Sequence, residues 1–471
     1  MTALLVVLAC SSHALCPERS QAGQEIRYEV IADDEATNLQ IEMWVPPGSG
    51  SSFTVDPDAV PFVDNVRFSQ ADHWSPLHDA GGTWTLSTCR RAGCRIRYLF
   101  HLRTAARALD EPDTAADRGG AIVAPAGTWL LRPSRVHDGG LHAQLHVTTS
   151  APLTFVTGLP RIAGQADTYS VALLPFFVSP YSAFGRFSVE TLKIGGAELD
   201  LATAAPTLAA DLPRIRGWVT AAARAVAAYF GRFPIDRALV LAVPLNAGVH
   251  GKALGGGGAT VLLQVAPGVD LTDPAFDWQA AHEMVHLAIP DMQRDQIWVT
   301  EGLATYIEPL GRSMTGELSP AAVWRDMMQN LPKGLPGPGD RGLSHTHTWG
   351  RTYWGGALFA FLADLEIRKA THDKLSLATA LGGVLREGGD ARVFWPVGRF
   401  NAAGDRALGQ RILSGLYSRM ADAPVDVDLP SVWRELGVSI ANGRVTFDNR
   451  APFAAIRRSM VGPPTSAAAD E

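Results

Sequence analysis

Residues from about 24 to 200 alternate apolar and polar positions in short runs. Ile26 to Ile31, Leu39 to Val45, Arg95 to Leu102 and Leu141 to Thr148 each repeat with a period of two, the signature of half-buried strands. Turn clusters separate them: PPGSGSS, AGGT, DRGG and HDGG. The pattern predicts an antiparallel β domain, a sandwich, over residues 24–204. His142 and His146 lie on one face of the last run. The pair fits a solvated strand face better than a shared ligand.

The period changes near Asp211. Leu212 to Phe230 reads as a helix with Asp211 as its cap and Pro213 in the first turn, where proline is tolerated. Ala238 to Leu245 is a continuous apolar run, hence a buried strand. The stretch GKALGGGGATVLLQV (251–265) follows. Its consecutive glycines allow another backbone to approach. Two readings are open. One is a strand edging a cleft, with Gly256, Gly257, Gly258 and Ala259 contacting an extended peptide. The other is a surface turn. No GK[ST] follows the glycines, so this is no phosphate loop.

Further helices are expected at Trp278 to Ile289, at about Thr300 to Leu310, Pro320 to Leu331, Ala357 to Ala370, Leu375 to Leu385 and Asp405 to Met420. Asn442-Gly443 marks a hairpin turn within GVSIANGRVTFDN. The organisation expected is α+β and multidomain: a leader over 1–23, the β-sandwich over 24–204, a mostly helical domain over 205–440, and a hairpin with a disordered tail over 441–471.

The chain has 471 residues, enough for two or three domains. Its net charge of −6 comes with no Lys/Arg run, which argues against a nucleic-acid partner. Ala3 to Ala9 is apolar but too short to span a bilayer. It resembles the core of an export signal. Two processing routes fit: a lipoprotein box ending at Cys10, giving a membrane tether through a lipidated Cys10, or cleavage after Ala14. Cys89 and Cys94 bracket a turn between WTLST and RIRYLF. A disulfide closing a hairpin there suits a periplasmic, envelope or secreted location.

The candidate chemistry lies in WQAAHEMVHLAIPDMQRDQIWVTEGLATYIEPL (278–310). On a helix, His282 and His286 share a face, so both imidazoles can bind one cation. Glu301 on the next helix can be the third ligand, leaving a position for water as a catalytic zinc site requires. Glu283, beside the first ligand, can take a proton from that water. The apolar flanks bury this helix, and buried His and Glu need partners or a metal. Thr305, one turn after Glu301, is a candidate neighbour of a ligand histidine. His250, His345 and His347 have no assigned role.

HEMVH followed by WVTEGLATY resembles the gluzincin metallopeptidases, specifically the aminopeptidase N-like and glycyl aminopeptidase-like families. TYWGGALFAFLADLEIR is similar to their tyrosine-bearing helix. The resemblance covers roughly residues 205 to 440 and implies a thermolysin-like catalytic fold. It implies one Zn²⁺ per chain on His282, His286 and Glu301, with Glu283 as general base and Tyr353 as transition-state donor. It also implies a peptide or protein substrate. Three features depart from those families. Fourteen residues separate His286 from Glu301, a shorter connection. GGGGAT lacks the glutamate that binds a substrate's free amine. Gly355 stands where the families carry lysine. An endopeptidase or dipeptide hydrolase therefore competes with an aminopeptidase, and a non-catalytic zinc-binding recognition protein is the alternative outside enzymes.

Overall fold

The computed structural model describes residues 25–70, 73–135, 141–173 and 178–462. The expected leader, Cys10, the cleavage point after Ala14 and the tail beyond residue 462 lie outside the described residues. Among the described residues, no helix is long and apolar enough to cross a membrane.

The alternating runs become the centre of a seven-stranded sheet. Ile26–Ala32 pairs antiparallel with Leu39–Val45 and parallel with Leu141–Thr148, and Cys94–Phe100 follows Leu39–Val45. In Ile26–Ala32, buried and exposed positions alternate without exception, so a one-residue slip would turn the whole apolar set to water. The buried face shares a core with Phe53, Trp84, Ile122 and Phe184 from a three-stranded and a four-stranded sheet. Leu102 starts a helix instead of ending the strand.

Cys89 and Cys94 are bonded, but they do not close a hairpin. Thr83–Thr85 pairs with Ser52–Thr54, while Cys94–Phe100 belongs to the seven-stranded sheet. The bridge spans a short helical turn, Cys89–Ala92, between two sheets.

The domain boundary expected at residue 204 is also corrected. Phe187–Ile194 and Ala197–Ala204 join the next unit, a five-stranded sheet completed by Arg237–Pro244, Thr260–Val265 and, at its edge, Val249–Leu254. Ala197–Ala204 and Arg237–Pro244 run parallel. Parallel neighbours need a crossover, and helix Leu212–Phe230 supplies it. Asp211 is the N-cap residue of that helix, as expected, but its side chain makes no capping bond: the carboxylate accepts from the Gly268 N–H at 3.2 Å and pairs with Arg214. A separate apolar cluster containing Val123, Tyr181, Leu239, Leu241 and Leu262 joins the two units.

The rest is mostly helical. The stretch expected as one helix from Asp405 to Met420 is two, Val397–Leu408 and Ile412–Met420, broken at Gly409 with φ +67°. The hairpin strands are Val438–Ala441 and Arg444–Phe447, and Asn442 and Gly443 both have positive φ at the turn. A further helix, Ala454–Val461, packs behind it. The architecture is a multidomain α+β one, with an N-terminal β-sheet domain and a helical C-terminal part.

Candidate metal centre and cleft

The motif helix is Gln279–His286 and the acid helix Ile297–Met314. Ala280, Ala281, Met284 and Val285 face the core, which turns His282, Glu283 and His286 to a cleft of about 1530 Å³. The acid helix starts earlier and ends later than its apolar pattern suggests, and carries Pro309.

Close backbone packing sets its position. A Cβ on Gly302 would lie 2.1 Å from the Gly356 carbonyl carbon, and one on Gly356 would lie 1.9 Å from the Trp298 oxygen. These two glycines let the acid helix cross helix Gly356–Ala370 closely enough for Glu301 and Tyr353 to face one cleft. Arg312 ties the same helix to the motif helix. Its guanidinium holds Asp277, immediately before the motif, and Glu308 at 2.9 Å.

The Nε2 atom of His282 is 3.3 Å from Glu301 Oε2, and that of His286 is 3.6 Å from the same oxygen. Ligand atoms of all three lie within 4.8 Å of one another. Burial works against the Glu301 carboxylate, yet the imidazoles of His286 and His282 hold its pKa far below the usual carboxylate range. Burial likewise opposes charge on His286, but Glu301 holds its pKa above the usual imidazole value. Two imidazoles and a carboxylate converging in a buried cleft suit zinc and leave a coordination position open. Trp278 packs edge-on against His282, ring centres 5.4 Å apart.

Glu283 faces the edge strand Val249–Leu254. A Cβ on Gly251 would meet Glu283 Cγ at 2.6 Å, so only glycine lets the strand and this side chain approach. Gln279, one turn before Glu283, clamps the strand: it accepts the Gly251 N–H at 3.0 Å and donates to the Val249 carbonyl at 3.1 Å. Residues 250, 252 and 254 form the hydrogen-bonded pairs with Thr260–Val265, continuing the Ala266-to-Gly248 bond. The alternation turns the N–H and C=O of Ala253 toward the cleft.

Tyr353 lies in a π-helical turn, Gly350–Gly355, that runs into helix Gly356–Ala370. Such turns occur often at functional sites. Burial, followed by the charges of Glu301 and Glu283, pushes its phenol up to about 12. Thr305 lines the cleft; His345 pairs with Asp422 outside it, and His347 does not line it. His250 lines it from the edge strand.

Gly255 lines the cleft, but the four residues expected to contact a peptide are not part of its wall. Gly256, Gly257, Gly258 and Ala259 pack between domains: added Cβ atoms would meet Val178 O at 2.8 Å, Ala172 Cβ at 2.5 Å and Gly158 O at 2.3 Å for the three glycines. Ala259 donates its N–H to Gly158 and is buried. The close backbone approach is real, but the approaching backbone is the protein's own. The cleft-facing segment is the preceding one, residues 250–255. The sequence pattern missed Gln279, although it stands four residues before Glu283, and it missed Asp113, which local sequence does not mark. Lys252 alternates with His250 and Leu254 on one strand face, a signal that was available.

No protein-family model matches the chain, and no curated protein matches it in sequence. Its fold is shared with solved structures. An aminopeptidase N family protein from Idiomarina loihiensis superposes with a TM-score of 0.66 at 14% identity, covering 88% of this chain and 78% of that one. An M1 zinc metallopeptidase from Deinococcus radiodurans gives 0.56 at 14%, covering 86% and 94%. A mutant of the latter bound to a Tyr-Ser-Ala substrate gives 0.54 at 12%, covering 86% and 95%. The β-sheet domain followed by a helical part is thus a fold this chain shares with those structures.

Proposed function

We propose that this chain is an exported zinc-dependent peptidase acting on peptides or proteins, with one Zn²⁺ per chain on His282, His286 and Glu301. The observation that carries the reading is the convergence of those three ligands within 4.8 Å, with Glu283 beside them in a cleft. The Deinococcus radiodurans neighbour's description as a zinc metallopeptidase supports it. Export rests on the apolar N-terminus and on the Cys89–Cys94 bond, which suits an oxidising compartment.

A zinc ion held by these residues supplies Lewis acidity and makes a water acidic enough to lose a proton near neutral pH. The Glu283 carboxylate accepts the proton of the attacking water and returns it to the leaving amine nitrogen. Tyr353 keeps its phenolic proton throughout the physiological range, so its O–H donates to the substrate carbonyl oxygen as charge develops there. The Ala253 N–H and C=O add the substrate backbone to the sheet edge, which orients the scissile bond. Gln279 keeps that edge fixed beside Glu283.

Digestion of a peptide library with and without chelator tests the reading. The expected result is chelator-sensitive cleavage that zinc restores. No cleavage by protein shown to hold stoichiometric zinc would leave a metal-binding protein without peptidase activity.

A further inference from the structure

A cleft rich in carboxylates would ordinarily attract the ammonium of a free peptide N-terminus. Six carboxylates line this one. Glu283 and Glu301 are committed to the centre itself. Glu308 is held by Arg312 at 2.9 Å, and Asp326 accepts from Asn330 at 2.6 Å. Asp291 follows Pro290, past the C-terminal end of the motif helix, and its carboxylate accepts the neighbouring Met292 N–H at 2.9 Å. The sixth, Asp113, comes from the N-terminal domain. It accepts from the Tyr181 hydroxyl at 2.5 Å and from the Lys252 ammonium.

The position of the last pair is decisive. Lys252 follows Gly251, the residue in contact with Glu283. It therefore stands beside the scissile position, on the strand along which substrate backbone would lie. Its neighbour on the same strand face, Leu254, is apolar. The acid best placed to receive a substrate ammonium already holds one from the protein. A tethered ammonium competes at an effective concentration on the order of millimolar, so a substrate amine gains little by displacing it. The cleft, at about 1530 Å³, exceeds the roughly 300–1,000 Å³ that suits a small ligand. Four large apolar side chains reach its opening while solvent-exposed: Trp349 (61%), Ile297 (45%), Trp278 (38%) and Phe394 (37%).

We propose that the Asp113–Lys252 pair removes any requirement for a free substrate amine, so that the cleft takes N-blocked or internal stretches of extended, apolar-rich polypeptide, with Lys252 as the specificity-determining residue. The inference rests on the peptidase reading and narrows it to a substrate class.

The test is a matched pair of fluorogenic peptides, identical in sequence and scissile bond, one with a free N-terminus and one acetylated. Both are given to the zinc-loaded full chain. The wild type should cleave the acetylated peptide at least as well, by kcat/KM. Lys252→Ala, or Lys252→Met to keep the apolar stem, should raise the free-to-acetylated ratio about tenfold or more by exposing Asp113. Adding Asp113→Asn should abolish that gain. A wild-type preference of tenfold or more for the free amine overturns the inference and leaves the peptidase reading standing. So does an unchanged ratio in both lysine variants. Cleavage of neither peptide by zinc-loaded wild type overturns the peptidase reading, and the inference with it.

Discussion

The chain carries two pairs of histidines spaced four apart, His282/His286 on a helix and His142/His146 on a strand. On the helix, four residues are one turn, and the rings come to 5.1 Å between centres. On the strand, four residues span about 13 Å at roughly 3.3 Å per residue, and the side chains share a face without meeting. His146 bonds Thr168 Oγ1 at 3.1 Å, and His142 is exposed opposite Ala172. The backbone period, not the spacing in the chain, decides whether two imidazoles can share a ligand. Burial then separates the pairs further. Around His282 and His286, exclusion of water makes the Glu301 carboxylate an obligatory partner; along the outer sheet face, solvent supplies what the imidazoles need.

The strongest way to break this contrast is to remove a ligand. His286→Ala or Glu301→Gln should lower zinc affinity by at least about 100-fold, more than losing an outer hydrogen-bond partner costs, and hydrolysis should fall with it. Zinc content after dialysis, measured by mass spectrometry, checks this; stoichiometric zinc in either variant would refute the ligand set. Glu283→Gln should separate binding from chemistry. Zinc stays, while kcat falls by about 10²–10⁴-fold as the proton acceptor is lost. Near-normal turnover would require a different base.

Tyr353→Phe should lower kcat by about 10²-fold with little change in KM, because the hydroxyl acts on charge present only in the transition state. Its phenol is pushed up to about 12. Its loss should therefore leave the shape of the kcat–pH profile unchanged up to about pH 10. A limb that vanishes in the variant below that pH would mean Tyr353 itself titrates there. Gly251→Ala acts through position alone. The new methyl would displace Glu283 Cγ from a 2.6 Å approach. A misplacement of about 1 Å costs on the order of 10²-fold, and side-chain rotation should reduce that to about tenfold. Melting temperature should hardly move, since the obstructed group is a side chain facing a cleft. A large drop in melting temperature with unchanged kcat would show that the strand, rather than the base, gives way.

What the sequence disclosed follows the same division between local and distant. The four-residue helical spacing, Glu301 in its apolar helix and the alternating strands are local, and each is legible from periodicity. Sheet membership is not local. Phe187–Ile194 and Ala197–Ala204 alternate like the strands before them, but their partner, Arg237–Pro244, comes only after a helix. The glycine run announced a close approach without naming the approaching chain, which turned out to be residues 158, 172 and 178. Asp113 and Lys252 are 139 positions apart, and no pattern in either segment predicts that they meet. The candidate metal centre is written in one continuous stretch; the cleft wall that carries Asp113 and Lys252 is assembled from two domains.

The smallest expected effect is also the cleanest check on the comparison. His142→Ala and His146→Ala, singly or together, should leave zinc stoichiometry and kcat/KM within experimental error of the wild type. At most, stability should change by about 0.5 kcal/mol, as for exposed substitutions generally, since the strand's buried residues are Ala143, Leu145 and Val147. The double variant is the informative one. If it lost a second equivalent of zinc measured in the wild type, the two imidazoles would have to recruit a bridging donor from the neighbouring strand, where Thr168 and Ala172 stand opposite them. An alanine and a threonine offer no ligand, and although Glu29 stands opposite His146 on the strand at the other side, among the described residues only His282, His286 and Glu301 converge closely enough to hold an ion, so the geometry predicts one zinc per chain before and after the change.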